Sequence, residues 1–231
     1  MPVYNGRHYI ANSIRLVSNY MNKLGYPYEI IIVDDGSTDG THLVAKKHLN
    51  DHMRIIRYEK NRGKGFAFTI GALKATGDIT ILLDSDLDVP PHQIKNLVDT
   101  IQKTNADIVI TNKWHPQSKT IATPTRRFLS LSYNALVRLL TGLKLQDTQT
   151  GAKAFKTKKL QKIIKHLYVK RYAFDVELLL VAQNLKYKID QIPSSKPIKL
   201  TTKFKTKEII RMLLELLSIT YRHKILRKYR Y

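Results

Sequence analysis

Residues 79–88 read Ile79-Thr80-Ile81-Leu82-Leu83-Asp84-Ser85-Asp86-Leu87-Asp88. The first half is a run of β-branched and aliphatic side chains, the pattern of a buried strand. Three carboxylates at alternate positions follow it directly. Such close carboxylates repel one another unless a cation lies between them. Hard divalent cations such as Mg²⁺ and Mn²⁺ take carboxylate oxygens and commonly share their coordination with substrate phosphates. Asp84, Asp86 and Asp88 are therefore candidate metal ligands. The competing reading is an acidic turn that leads through Pro90-Pro91 into a helix.

Outward from this strand, similar apolar runs occur at Glu29–Val33, Met53–Tyr58 and Asp107–Thr111. Segments with helical spacing separate them: Tyr9–Leu24, Thr41–Leu49, Phe66–Ala75 and His92–Thr104. Repeated strand–helix alternation predicts an α/β fold, a mainly parallel Rossmann-like sheet flanked by helices. Ligands of such sheets sit beyond the carboxyl ends of the strands, where the polar clusters of this sequence fall. Met1-Pro2-Val3-Tyr4-Asn5 reads as the end of a short first strand. After Trp114 the pattern turns helical, with a polar loop at Lys113–Thr125 and helices expected at Phe128–Leu140, Lys158–His166 and Phe174–Gln183. A short strand is expected at Lys186–Ile192. A basic connector, Ser194–Thr206, leads to a last helix at Lys207–Arg227.

The 231 residues suffice for one domain with a sizeable core, and a hydrophobic share of 43% excludes a disordered chain. The absence of cysteine excludes disulfides and thiolate metal sites. Forty Lys and Arg against 18 Asp and Glu give a formal charge of +22. That imbalance points to an anionic partner (nucleic acid, anionic membrane or polyphosphate substrate), with a general basic bias as the alternative. No secretory signal is evident, so a protein on the cytoplasmic side is expected. The longest apolar stretch, Ile209 to Tyr221, is interrupted by Arg211 and Glu215. It falls short of the about 20 residues of a spanning helix.

Two more clusters carry polar chemistry. Asp34-Asp35-Gly36-Ser37-Thr38-Asp39-Gly40 follows the Ile30–Val33 strand. Its glycines permit a tight turn, Asp39 or Thr38 can cap a helix, and Asp34 and Asp35 can accept hydrogen bonds from a base or ribose. Asn61-Arg62-Gly63-Lys64-Gly65 opens a helix, where glycine and cations suit an anion or form a plain turn.

Together these ordered motifs resemble the family-2 glycosyltransferases, in their polyprenyl-phosphate branch. The resemblance rests on Pro2-Val3-Tyr4-Asn5, Val33-Asp34-Asp35-Gly36-Ser37-Thr38-Asp39-Gly40-Thr41, Asn61-Arg62-Gly63-Lys64-Gly65 and Asp84-Ser85-Asp86. Asp147-Thr148-Gln149-Thr150-Gly151 and Arg171-Tyr172-Ala173-Phe174-Asp175-Val176-Glu177 look most like dolichyl-phosphate glucosyltransferases. Thr202-Lys203-Phe204 and Glu208-Ile209-Ile210 are similar to the closing segment of dolichol-phosphate mannosyltransferases. The resemblance implies a single GT-A-type domain, a nucleotide-sugar donor (UDP-glucose ahead of GDP-mannose), Mg²⁺ or Mn²⁺, and a polyprenyl or dolichyl phosphate acceptor. It places Pro2, Tyr4, Val33 and Asp35 on the base and ribose. Asp84, Ser85 and Asp86 fall on the ribose and the metal-bound diphosphate, and Lys203 on the diphosphate. Departures from the family pattern are Gly6 for a frequent Glu, Asp88 for a common Gln or Ala, and Lys113 for an Arg. Lys113 is a point charge where the family has a fork.

The implied reaction is displacement at the anomeric carbon by a lipid phosphate oxygen. The acceptor is already anionic, so no strong general base is required. Metal held by Asp86 would offset charge on the departing diphosphate. Arg126-Arg127 is a candidate clamp for the acceptor phosphate or else a solvated helix end. Gln149 and Asp175 are expected near the sugar or acceptor, and Lys64 near the donor phosphates. The division expected is 1–195 as catalytic domain and 196–231 as basic connector and amphipathic membrane-proximal helix. Ile209, Ile210, Met212, Leu213, Leu214, Leu216, Leu217 and Ile219, followed by Arg222, Lys224, Arg227, Lys228 and Arg230, suit an anionic membrane surface on a peripheral, cytoplasmic-face protein. The other reading packs this face on the core or on a membrane-anchoring subunit. Three alternatives stand beside the lipid-directed transferase: a family-2 enzyme with a soluble acceptor, a non-catalytic homologue, and a nucleic-acid-binding protein. No aromatic–basic RNA motif or DNA-reading motif supports the last.

Overall fold

The computed structural model describes residues 1–118, 120–194, 199–200 and 206–229. The first three strands, β1 (Pro2–Val3), β2 (Ile30–Asp34) and β3 (Met53–Arg57), form a parallel sheet in the order β1-β2-β3. Helices α1 (Ile10–Leu24) and α2 (Thr41–Lys46) connect them. α3 (Lys64–Lys74) leads to β4 (Ile79–Leu83), and α4 (Gln93–Thr104) leads to β5 (Ile108–Asn112). These elements coincide with the sequence-predicted alternation to within a few residues.

The second sheet is mixed, in the order β4-β7-β5-β8. After β6 (Ile121–Ala122) and α5 (Pro124–Thr141), strand β7 (Ala152–Lys156) inserts antiparallel between β4 and β5. Its sequence, Ala-Lys-Ala-Phe-Lys, has no β-branched residue and reads weakly as a strand. The small Ala152 and Ala154 are fully buried in one cluster with Ile94, Leu97 and Ile101 of α4, so the helix can sit close to the sheet. α6 (Thr157–Ile164), α7 (Phe174–Asn184) and β8 (Ile189–Pro193) follow, with β8 parallel to β5. A two-stranded sheet pairs β6 with β9 (Lys199–Leu200), and α8 (Thr206–Lys224) ends the fold. Neither β6 nor β9 was legible in the sequence.

α5 begins earlier than its apolar periodicity suggested. Thr123 caps it by accepting the Arg126 N–H at 3.3 Å, and Pro124 occupies the first turn, where its missing N–H costs nothing. A cavity of about 470 Å³ lies between β2 and β4, lined by Ile31, Phe68, Ile79 and Ile81 among others. Its lining is mainly apolar and runs along both strands as far as Val33 and Leu83.

α7 is the most buried helix, closed to solvent from Phe174 through Ala182. One stripe of α8 (Met212, Leu216 and Ile219) is buried, the last two within the main core, and Tyr229 beyond it is fully buried there too. Glu177 of α7 ties the tail down. Its carboxylate accepts the N–H groups of Tyr168 (2.8 Å) and Val169 (2.7 Å) and the Tyr229 hydroxyl, with Arg222 at 3.7 Å. Burial pushes the Glu177 carboxyl up, while these donors favour its ionised form. Tyr229→Ala removes both the ring from the core and the hydroxyl from Glu177. It should destabilise the chain by about 3–5 kcal/mol in urea unfolding. A loss below about 1 kcal/mol would show that the tail does not belong to the folded unit.

Candidate active site

The carboxyl end of β4 carries the acidic cluster, as read. Its backbone is built tightly: the Asp84 N–H donates to Gly151 O at 2.9 Å, and Leu87 N–H returns to Asp84 O at 3.1 Å. Leu87 has φ 56, a left-handed conformation that an L side chain adopts at a cost of about 1 kcal/mol or more. That strained turn aims Asp86 and Asp88 outward. A Cβ on Gly151 would lie 3.0 Å from Asp84 Oδ2, so the glycine leaves room for this carboxylate.

Lys64, the first residue of α3, straddles Asp84, with Nζ 2.6 Å from Oδ1 and 2.8 Å from Oδ2. Burial works against its charge, but Asp84 and then Asp175 outweigh burial and hold the ammonium above its usual range. The Asp86 carboxyl is pushed up by burial and then by Asp84. That of Asp88 is pushed up by burial and then by Asp86, with Arg126 and Lys113 opposing. Repulsion among these groups is what a hard cation would relieve, so the donor set fits Mg²⁺ or Mn²⁺ in chemistry. As they stand, no three acidic, His or Cys side chains among the described residues converge closely enough to hold an ion.

Beneath this cluster lies a residue the sequence reading missed. Lys153 of β7 is fully buried. Its ammonium donates to Thr150 O at 2.6 Å and pairs with Asp175 Oδ1 at 2.8 Å. Burial lowers its pKa and Asp175 opposes that shift. Lys153, Asp175, Lys64 and Asp84 thus alternate in sign across β7, α7, α3 and β4. Asp175 sits in the first turn of α7, where the helix dipole favours an anion. The signal for Lys153 was a lysine flanked by alanines after Gly151, easily taken for a loop.

The nucleotide-side residues cluster at the ends of β1 and β2. Val33 is buried, while Tyr4 is exposed beyond β1, which begins at Pro2. Asp35 accepts hydrogen bonds from Tyr58 Oη (2.7 Å), Asn61 Nδ2 (3.0 Å), Arg62 N (2.7 Å) and Gly63 N (2.8 Å). Four donors engage both oxygens, so in this structure Asp35 shapes the Asn61–Gly63 turn that delivers Lys64. Asp39 precedes Gly40, the N-cap residue of α2, and accepts the Thr41 N–H at 2.9 Å and the Arg7 N–H at 3.0 Å. Gly6 abuts the Tyr9 ring: a Cβ there would come within 2.6 Å of it. Tyr9, another residue missed, lies beside Ser85; burial raises its pKa, Ser85 opposes that rise, and Asp86 and Asp84 add to it. It takes up space that Gly6 leaves.

On the far side, Lys113 pairs with the fully buried Asp147 at 3.2 Å. Asp147 also accepts the N–H groups of Lys113 (3.2 Å) and Gln149 (3.3 Å), which makes it a brace for this loop. Gln149 donates to Tyr172 O at 3.3 Å. Arg126 is half-buried and acts on Asp88, whereas Arg127 is exposed, its guanidinium 6.0 Å from the Trp114 ring centre. Glu215 of α8 accepts the N–H groups of Tyr172 (3.0 Å) and Ala173 (2.9 Å), capping α7 from outside. Lys203 lies outside the described residues. Asp35→Ala leaves four donors of this half-buried turn without their acceptor and should cost about 2–3 kcal/mol of stability in urea unfolding. Hydrogen exchange of the Arg62 and Gly63 amides should speed up in parallel. Unchanged exchange there would refute the bracing role.

The family model described as glycosyl transferase family 2 matches residues 1–164. The chain is similar to dolichyl-phosphate β-glucosyltransferase ALG5A of Trichomonas vaginalis, 29% identical over 97% of this chain and 73% of the relative. It is 31% identical to the human dolichyl-phosphate β-glucosyltransferase over 83% of this chain and 64% of that protein. Among solved structures it resembles glucosyl-3-phosphoglycerate synthase of M. tuberculosis, with a TM-score of 0.71 at 22% identity over 95% of this chain and 77% of that one. That likeness concerns the fold. The match over residues 1–164, more than half of the chain, together with the acidic tip of β4, shows that this protein is a glycosyltransferase and belongs to glycosyl transferase family 2.

Proposed function

We propose that the chain transfers glucose from UDP-glucose to dolichyl phosphate, with inversion at the anomeric carbon, on the cytoplasmic face of a membrane. The observation that carries this reading is the acidic tip of β4, set beside Lys64 and Asp175, in a chain whose relatives over nearly its whole length are named for dolichyl-phosphate glucosylation. The named relatives are glucosyltransferases, which supports glucose over mannose. The mycobacterial structural neighbour has been crystallised with Mn²⁺ and UDP-glucose (TM-score 0.70, 20% identity).

In this reading Asp86, with Asp84 and Asp88, holds the divalent cation, which offsets charge on the departing diphosphate when bound. Tyr9 and Ser85 set one wall of the donor site, and Val33, Pro2 and Tyr4 set the nucleotide end. Asp175, fixed by Lys153, and Gln149, fixed on Tyr172 O, face the sugar. Arg126 and Arg127 at the start of α5 receive the acceptor phosphate. The acceptor oxygen is already anionic, so the residues need only orient it in line with the leaving group and exclude water.

A lipid acceptor requires the site to meet a membrane. Among the described residues no helix is long and apolar enough to cross one. The outer face of α8 exposes Ile210, Leu214, Leu217 and Tyr221, and the adjoining α5 exposes Phe128 (70%) and Leu139 (75%). With Lys224, Arg227 and Lys228 nearby, this surface supports interfacial binding to anionic lipid, either directly or through an anchoring subunit.

Incubation of the purified chain with dolichyl phosphate vesicles and radiolabelled UDP-glucose should yield a mild-acid-labile labelled lipid. Asp86→Asn should lower that transfer at least about hundredfold while leaving the unfolding midpoint nearly unchanged. An active Asp86→Asn enzyme, or lipid unlabelled with any nucleotide sugar, contradicts the reading. Flotation with vesicles containing anionic lipid should carry the protein upward, less so in high salt. A Leu214→Glu, Leu217→Glu double variant should stay in solution. Equal flotation of the variant would remove α8 from the membrane face.

A further inference from the structure

Lys64 makes its strongest contacts with a carboxylate that the proposed function assigns to a metal ion. Its ammonium lies 2.6 and 2.8 Å from the two oxygens of Asp84. A cation that entered between Asp84 and Asp86 would meet a position already neutralised by protein. Resting on the transferase reading above, we propose that Lys64 is the resident counter-ion of the site: it occupies Asp84 until a divalent cation displaces it, and the freed ammonium then turns to the donor diphosphate.

Four features support an exchange over a fixed ion pair. Asp84 acts on both Asp86 and Asp88; Arg126 and Lys113 oppose this at Asp88, which leaves Lys64 to offset both Asp84 and Asp86. The Lys64 side chain is 37% exposed and that of Asp84 25%, so the pair can open without unpacking the core. Lys64 follows Gly63, whose φ of 103 is open to glycine, and Gly63 and Gly65 pack directly on Arg171 and Phe174. The backbone under Lys64 is therefore fixed while its side chain extends from a helix N-terminus, a place that itself favours a phosphate. Finally, Asp175 also draws on the Lys64 charge, yet is paired to Lys153 at 2.8 Å. A released ammonium keeps a nearby anion without being captured by it.

The exchange couples the two ligands. Without nucleotide, Lys64 competes with the metal. With nucleotide, Lys64 gains a diphosphate partner, and metal and donor support each other. Removing the ammonium therefore affects the two situations in opposite directions. Manganese binding can be followed by the electron paramagnetic resonance of free Mn²⁺ in wild type, Lys64→Met and Lys64→Gln, each with and without UDP, with folding checked by circular dichroism. Both variants should bind Mn²⁺ about tenfold more tightly than wild type without UDP, as expected for the loss of one nearby positive charge. The tightening that UDP adds should shrink in both. If wild type binds Mn²⁺ with UDP but the variants bind the bare ion no more tightly than wild type, the counter-ion role is wrong while the metal-dependent reading stands. If wild type binds no Mn²⁺ even with UDP, both fall. If one variant fails to fold, the other decides.

Discussion

Three carboxylates at alternate positions after one strand repel one another unless positive charge lies near them. Much of this site can be understood as the means of meeting that requirement. Lys64 reaches Asp84 because the Asn61–Gly63 turn is drawn in by Asp35, whose four hydrogen bonds set its path. Asp84 has room because Gly151 has no side chain. Asp86 and Asp88 point outward because Leu87 accepts a left-handed conformation. Strain of this kind persists only where the surrounding structure over-determines it, and it clusters at working sites.

The second lysine extends the same logic inward. A wholly buried Lys153–Asp175 pair is costly to desolvate, and a pair of well-packed apolar residues would often serve stability as well or better. Its position explains its presence: it anchors Asp175 at the start of α7, next to the charge that Lys64 carries. The same helix start is capped by Glu215 from α8. A helix with one buried stripe and one exposed apolar face thereby touches the backbone that presents Asp175.

Much of this was legible in the sequence, for identifiable reasons. β2 and β4 read as β-branched and aliphatic runs, so the carboxyl end of β4, and hence Asp84, was located to the residue and that of β2 to within one. The acidic alternation was visible because few structural needs produce it. The strand β7 was not legible, because two alanines and two lysines carry no β signal and its antiparallel place depends on pairing partners far apart in the chain. Lys153 was hidden with it. Tyr9 was visible only as the first residue of an expected helix, and its place beside Ser85 depends on the fold bringing the start of α1 to the end of β4. Asp35 was read as a nucleotide contact from its place at a strand end; the structure adds a bracing role, with the side chains of Tyr58 and Asn61 and the backbone N–H groups of Arg62 and Gly63 donating to its oxygens. Such local satisfaction appears only once the Asn61–Gly63 turn is folded against it.

The central claim concerns where one cation sits, and diffraction locates it most directly. Crystals grown with Mn²⁺ and UDP, measured at the manganese absorption edge, should show a single strong anomalous peak within coordination distance of Asp86. The Lys64 ammonium should have moved from Asp84 to the diphosphate. A peak elsewhere, or nucleotide bound with Asp84, Asp86 and Asp88 left facing solvent and Lys64 still on Asp84, would contradict it.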